Sequence, residues 1–167
     1  MGLSSWLRTV LRKLFAGFRK QHSPTSQSGG GRSAAPKPYT ILTRFIFDTT
    51  HFRKKEPARA KPGAFLPQLN LKTSALGRDG KTEDDVWAIG ILVGQERSKT
   101  PKARADFDAG AVAEVKLTIE HNPVDRIPDH VNLCGWPKGK DEQKSIAQLL
   151  CVRSKLVLHP DEAQAAR

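Results

Sequence analysis

Apolar residues recur at helical spacing near the start of this chain. At about 100° per residue, Leu3, Trp6, Leu7, Val10, Leu11, Leu14, Phe15 and Phe18 share roughly half the circle, and Arg8, Arg12, Lys13, Arg19 and Lys20 take the other half. This pattern predicts a basic amphipathic helix over residues 1–21. Its apolar stripe has no local partner, so it must pack on a membrane surface, a larger protein or the rest of the chain. Residues 22–38 are rich in Ser, Gly, Pro and Ala, with a Gly29-Gly30-Gly31 run and no large apolar group, which predicts a flexible linker.

The pattern changes at Tyr39. Tyr39, Ile41, Thr43, Phe45 and Phe47 alternate with Leu42 and Ile46, as in a strand with apolar groups on both faces and hence a central place in a sheet. Arg44 lies within it and calls for an anionic partner. Ala64–Pro67 and Thr73–Gly77 read as a short hairpin. Thr82 reads as an N-cap, with Glu83, Asp84 and Asp85 in a first turn where the helix dipole favours negative charge. The helix it opens runs Glu83–Val93 and stops at Gly94. Val115, Leu117 and Ile119 alternate with polar residues and favour a strand, with a short helix over Asp108–Val115 as the competing reading. Val131–Cys134 is a strand, and Asp141–Leu156 is a helix ended by His159-Pro160.

These elements predict an α+β domain over residues 39–160, preceded by the separate N-terminal helix and linker and followed by a frayed tail, 161–167. Its sheet is antiparallel or mixed, with four or five strands and two helices packed on one face. Cys134 and Cys151 sit in apolar surroundings without a CxxC partner, as unbridged thiols do.

Charge adds a direction. The chain carries a net +11, and its first 47 residues contain no acidic side chain. Residues 1–38 hold +7, residues 39–104 hold +6 and residues 105–167 hold −2. This asymmetry points to polyanions as partners. Two segments concentrate it: Arg53, Lys54, Lys55, Arg59 and Lys61, then Arg97, Lys99, Lys102 and Arg104. On a common face they would bind phosphate, and the scarcity of aromatics beside them points to backbone or shape readout.

The function expected on these grounds is a non-enzymatic binding or regulatory module. Its partner is an anionic membrane surface or a larger protein through residues 3–18, or nucleic acid through the basic loops. The expected location is the cytoplasm, peripherally at the inner face of the membrane. In a eukaryote the Arg-rich, acid-free start would instead direct the chain to mitochondria. The competing class is a small nuclease or group-transfer enzyme, with His130 and His51 as acid/base pair and Arg44 holding phosphate. Asp106 and Asp108 flank Phe107 as a weak cation pair. No P-loop, GxGxxG, HExxH or zinc-finger spacing occurs, so neither cofactor nor metal is expected.

Overall fold

The computed structural model describes residues 39–164. The helix expected over 1–21, the linker over 22–38 and the last three residues lie outside them. The architecture is α+β. A six-stranded antiparallel sheet combines β1 (Ile41–Ile46), β4 (Thr73–Gly77), β5 (Ala103–Asp108), β6 (Thr118–His121), β7 (His130–Cys134) and β8 (Lys155–Leu158), in the spatial order β6-β7-β4-β1-β5-β8. A two-residue ribbon pairs β2 (Phe52–Arg53) with β3 (Arg59–Ala60). Four helices are α1 (Glu83–Gln95), α2 (Ala109–Glu114), α3 (Lys140–Val152) and α4 (Pro160–Gln164).

As its two-sided pattern predicts, β1 is internal, paired with β4 on one side and β5 on the other. Alternation divides its side chains between two buried clusters. Leu42 and Ile46 join Phe65, Phe107, Val131 and Leu150 in the larger one. Phe45 joins Leu76, Val86 and Ile127 in the smaller one. The helices are therefore not on one face as expected: α2 and α3 cover one side and α1 covers the other. The reason lies in the strands, which carry apolar residues at successive positions and need cover on both sides. The approach of α1 is close. A Cβ on Gly90 would lie 2.6 Å from the Phe45 ring, so glycine is what allows the helix to seat there.

The N-terminal signals of α1 operate as read, whereas Gly94 does not stop the helix, which runs on through Gln95. Thr82 Oγ1 accepts from the Asp85 amide, and Asp85 accepts from the Thr82 amide at 3.1 Å, completing a capping box. Three expectations change, the first being the strand count, which is six and not four or five. Ala64–Pro67 is not a strand: residues 62–64 form a 3-10 turn, and β4 finds its partners in β1 and β7 instead. The helix expected to reach Leu156 stops at Val152. Residues 155–158 then form β8, with Leu156 and Leu158 against the larger cluster, because pairing with them satisfies the open edge of β5. Both readings of 108–121 hold in sequence: Asp108 caps α2 by accepting from the Ala111 amide at 2.8 Å, Lys116 takes a left-handed φ of 60°, and β6 follows. Among the described residues no helix is long and apolar enough to cross a membrane.

Candidate functional site

The two basic segments meet at one end of the sheet. Residues 47–61 leave the end of β1, and residues 95–102 lead into the start of β5, which is that strand's neighbour. The Lys102 amide donates to the Ile46 carbonyl at 2.8 Å. The guanidinium of Arg97 stands over the Phe47 ring at 5.8 Å. The second segment is shaped by Gly94, whose carbonyl accepts from the Arg97 and Lys99 amides at 3.0 and 2.9 Å. A Cβ at Gly94 would meet the Lys99 carbonyl at 2.2 Å, so only glycine lets this tight return form.

Helix α4 joins the two segments. The His159 amide donates to the Lys102 carbonyl at 2.9 Å. The Glu162 carboxylate then receives Lys54 on Oε2 and Lys102 on Oε1, the latter at 3.0 Å. Residues 161–164, assigned by sequence to a fraying tail, thus carry the group that bridges both loops. The Lys54 and Lys102 ammonium groups hold the Glu162 carboxyl below the usual glutamate range.

Eight cations in residues 47–61 and 95–102 face three acids, Asp48, Glu56 and Glu96. Asp48 is engaged locally, accepting from the Thr50 amide and hydroxyl at 2.8 and 2.7 Å. Arg53 turns back to donate to the Pro57 carbonyl at 3.0 Å. Lys55, Arg59, Lys61, Arg97 and Lys99 are exposed and make no ion pair among the described residues. Phe52 is buried and Phe47 lies beneath Arg97, which leaves no exposed aromatic platform here for stacking bases.

Arg104 does not belong to this surface. It is 1% exposed, because its position in β5 points it between the sheet and α1. Its Nε donates to both Asp106 oxygens at 3.1 and 3.2 Å, and its Nη2 to both Glu83 oxygens at 2.8 and 2.6 Å. Its charge also lies 4.8 Å from the centre of the Trp87 ring, where the π face attracts cations. Arg78 donates to Asp106 at 2.6 Å and to Glu83, and the Thr43 hydroxyl donates to Asp106 at 2.7 Å. Burial alone would raise the Glu83 carboxyl, but bonding to Arg104 and the charge of Arg78 hold it below its ordinary value. A cleft of about 720 Å³ opens over this cluster, with Arg153 and Lys155 on its wall. Its two acids and two arginines are committed to one another, and the cluster fastens α1 to the sheet.

The three residues of the enzymatic reading are not brought together. His130 pairs with Leu76, which pairs with Thr43 near the start of β1, whereas His51 lies beyond that strand's other end. The run from Thr43 to Ile46 alone spans ~10 Å. Arg44 shares the face of Leu42 and Ile46, while His130 alternates with Val131 and so takes the opposite face. The anionic partner expected for Arg44 is replaced by carbonyls: its Nε donates to Ala64 at 3.1 Å and its Nη1 to Ser74 at 2.7 Å. Burial pulls this guanidinium down to about 10. The His130 ring contacts the Asn122 carbonyl at 2.6 Å. Asp129 is held instead by the Tyr39 hydroxyl at 2.9 Å and by Lys81, and burial together with that bond pushes Tyr39 up to about 12.

Asp106 and Asp108 serve separate structural ends, as ion-pair acceptor and helix cap. Among the described residues no three His, Cys, Asp or Glu groups are placed to hold a metal ion. Cys134 and Cys151 are unbridged, and burial pushes both thiols up. The set expected to bind a membrane or a partner, Trp6, Leu7, Arg8, Val10, Leu11, Arg12, Lys13, Leu14, Phe15 and Phe18, lies outside the described residues. The sequence reading missed the Arg104 cluster; the signal that could have found it is the alternation Ala103-Arg104-Ala105-Asp106-Phe107, which sets one charged pair on one face of a strand. Glu162 carried no such signal. Comparison with known protein families, curated proteins and solved structures finds no match.

Proposed function

We propose that the folded body is a non-enzymatic module that binds the phosphate backbone of duplex nucleic acid. The interface is the basic end built from Arg53, Lys55, Arg59, Lys61, Arg97 and Lys99. The meeting of two separate basic segments at one end of the sheet carries this reading, because a cationic surface joined across sequence matches a repeating line of phosphates. Backbone contacts position a protein without selecting bases, and the lack of exposed aromatics at this end fits duplex rather than single strands.

Five exposed cations reaching phosphates give a slope of log affinity against log salt near −4.5 on B-DNA, or a loss of about 500-fold between 50 and 200 mM salt. Fluorescence anisotropy with a mixed-sequence 20-bp duplex measures it. Replacing Lys55, Arg59 and Lys99 by Gln should flatten the full chain's slope by between two and three. An unchanged slope in that variant refutes the assignment of this surface.

The acid-free start favours a second attachment. Residues 3–18 bind an anionic membrane surface, their cations each contributing about 1 kcal/mol near the leaflet and their apolar stripe inserting beneath. Equal binding of a residue 1–21 peptide to zwitterionic and anionic vesicles would remove the electrostatic part. The opposite-face positions of Arg44 and His130 count against the nuclease or group-transfer alternative. That alternative would return if His130→Ala abolished strand cleavage by the purified chain.

A further inference from the structure

We infer that Lys54 and Lys102 form a binding site for a single phosphodiester group, and that the Glu162 carboxylate fills it as an internal stand-in when nucleic acid is absent. This rests on the proposed backbone-binding function and extends it to a named subsite and a built-in competitor.

The geometry supplies the ligand class. Two ammonium groups, one from each basic segment, converge on the two oxygens of one carboxylate. A phosphodiester presents the same charge on two non-bridging oxygens, so it can take the place of Glu162 with the lysines unmoved. The lysine side chains are each 37% exposed while the carboxylate is 14% exposed. An incoming phosphate can therefore reach the ammonium groups from solvent.

The attachment of α4 shows why the stand-in is displaceable. The helix has five residues and none of them is fully buried, so little apolar burial within it opposes release. Residue 159, which is buried against Trp87 at a ring distance of 5.0 Å, precedes the helix and can stay seated. What holds Glu162 down is two partly exposed ion pairs, the kind that salt screens and competing anions replace. The free protein thus keeps its most convergent cation pair occupied, and contact with a polyphosphate chain releases it. A binding-competent state populated only in part lowers apparent affinity by that fraction.

The test compares Glu162→Gln with Asp161→Asn in the full chain. Both remove one negative charge, but Asp161 contacts neither lysine among the described ion pairs. At 50 mM salt, Glu162→Gln should tighten duplex binding about tenfold and steepen the salt slope by between one and two, as two more cations reach phosphates. Asp161→Asn should change affinity less than twofold. Adding Lys54→Gln and Lys102→Gln to Glu162→Gln should erase the gain, and a stop after Asp161 should reproduce it. Equal gains in both single variants, or no gain in Glu162→Gln while the parent binds, overturn the inference.

Tripolyphosphate titration followed by the Lys102 amide resonance separates this from the broader proposal. Tighter binding in Glu162→Gln than in the parent upholds the site even where duplex binding fails. No response in either protein rejects the site on its own terms.

Discussion

Replacing Asp106 by Ala tests whether the charged cluster beneath α1 holds the fold together. Asp106 is 9% exposed and accepts from three groups: the fully buried Thr43 hydroxyl at 2.7 Å, Arg104 Nε at 3.1 Å and Arg78 Nη1 at 2.6 Å. Orphaning the Thr43 hydroxyl costs about 1–3 kcal/mol, and each lost charge-assisted bond about 1.5–3 kcal/mol. Arg78 is partly exposed and regains water, so its share is discounted. Arg104 keeps Glu83 and the Trp87 face, which limits the damage. The sum is about 3–4 kcal/mol, in the range for breaking one partner out of a buried pair. With a urea m-value of ~1.5 kcal/mol/M for a body of this size, the unfolding midpoint should fall by about 2 M with m unchanged. A fall under ~0.5 M would refute the reasoning, because the cluster would then be surplus to stability. Arg104→Met with Asp106→Leu should cost less than either single change, since removing both partners leaves no buried charge.

Three further outcomes follow from the same contacts. Gly90→Ala gains up to ~1 kcal/mol of helix propensity but drives a methyl to 2.6 Å from the Phe45 ring; overpacking of about 1–3 kcal/mol wins, and calorimetry should show a lower melting temperature. The Glu83 and Asp129 carboxyls are both held below their ordinary values. Burial opposes this in each; Arg104 and Arg78 lower Glu83, and Lys81 and Tyr39 lower Asp129. Their stabilisation is complete above the unfolded carboxylate range and is lost as pH falls from about 4.5 through the depressed values, so urea midpoints should drop across that window and flatten in Glu83→Gln. Cys151, buried and donating to the Ala60 carbonyl at 2.9 Å, should react with a thiol reagent only at the rate of local opening, well behind the half-buried Cys134; equal rates would contradict the packing of α3.

Elements specified by neighbours in sequence were legible without coordinates. The cap of α1 works through Thr82 and Asp85, three residues apart, and β1 announces its central place through apolar residues on both faces. The body of α3 was legible as a helix, but a stripe of Ile146, Leu149, Leu150 and Arg153 misplaces its buried face, which is Ala147, Leu150 and Cys151, with Leu149 55% exposed. Elements that depend on distant hydrogen bonds were not. β8 exists because β5 offers an unpaired edge, and Ala64–Pro67 fails as a strand because β1 and β7 take both sides of β4.

The same division runs through the candidate site. Sequence alone determined that two segments are strongly basic and that the first 47 residues hold no acid, but it grouped Arg104 with the basic surface and Asp106 with Asp108. Tertiary structure alone decided that the two basic segments meet, that Arg104 turns inward to Glu83 and Trp87, and that Glu162 lies between Lys54 and Lys102. Composition and local periodicity are properties of adjacent residues, whereas burial and charge pairing depend on which strands become neighbours. That choice is made by the whole sheet as it closes its backbone hydrogen bonds.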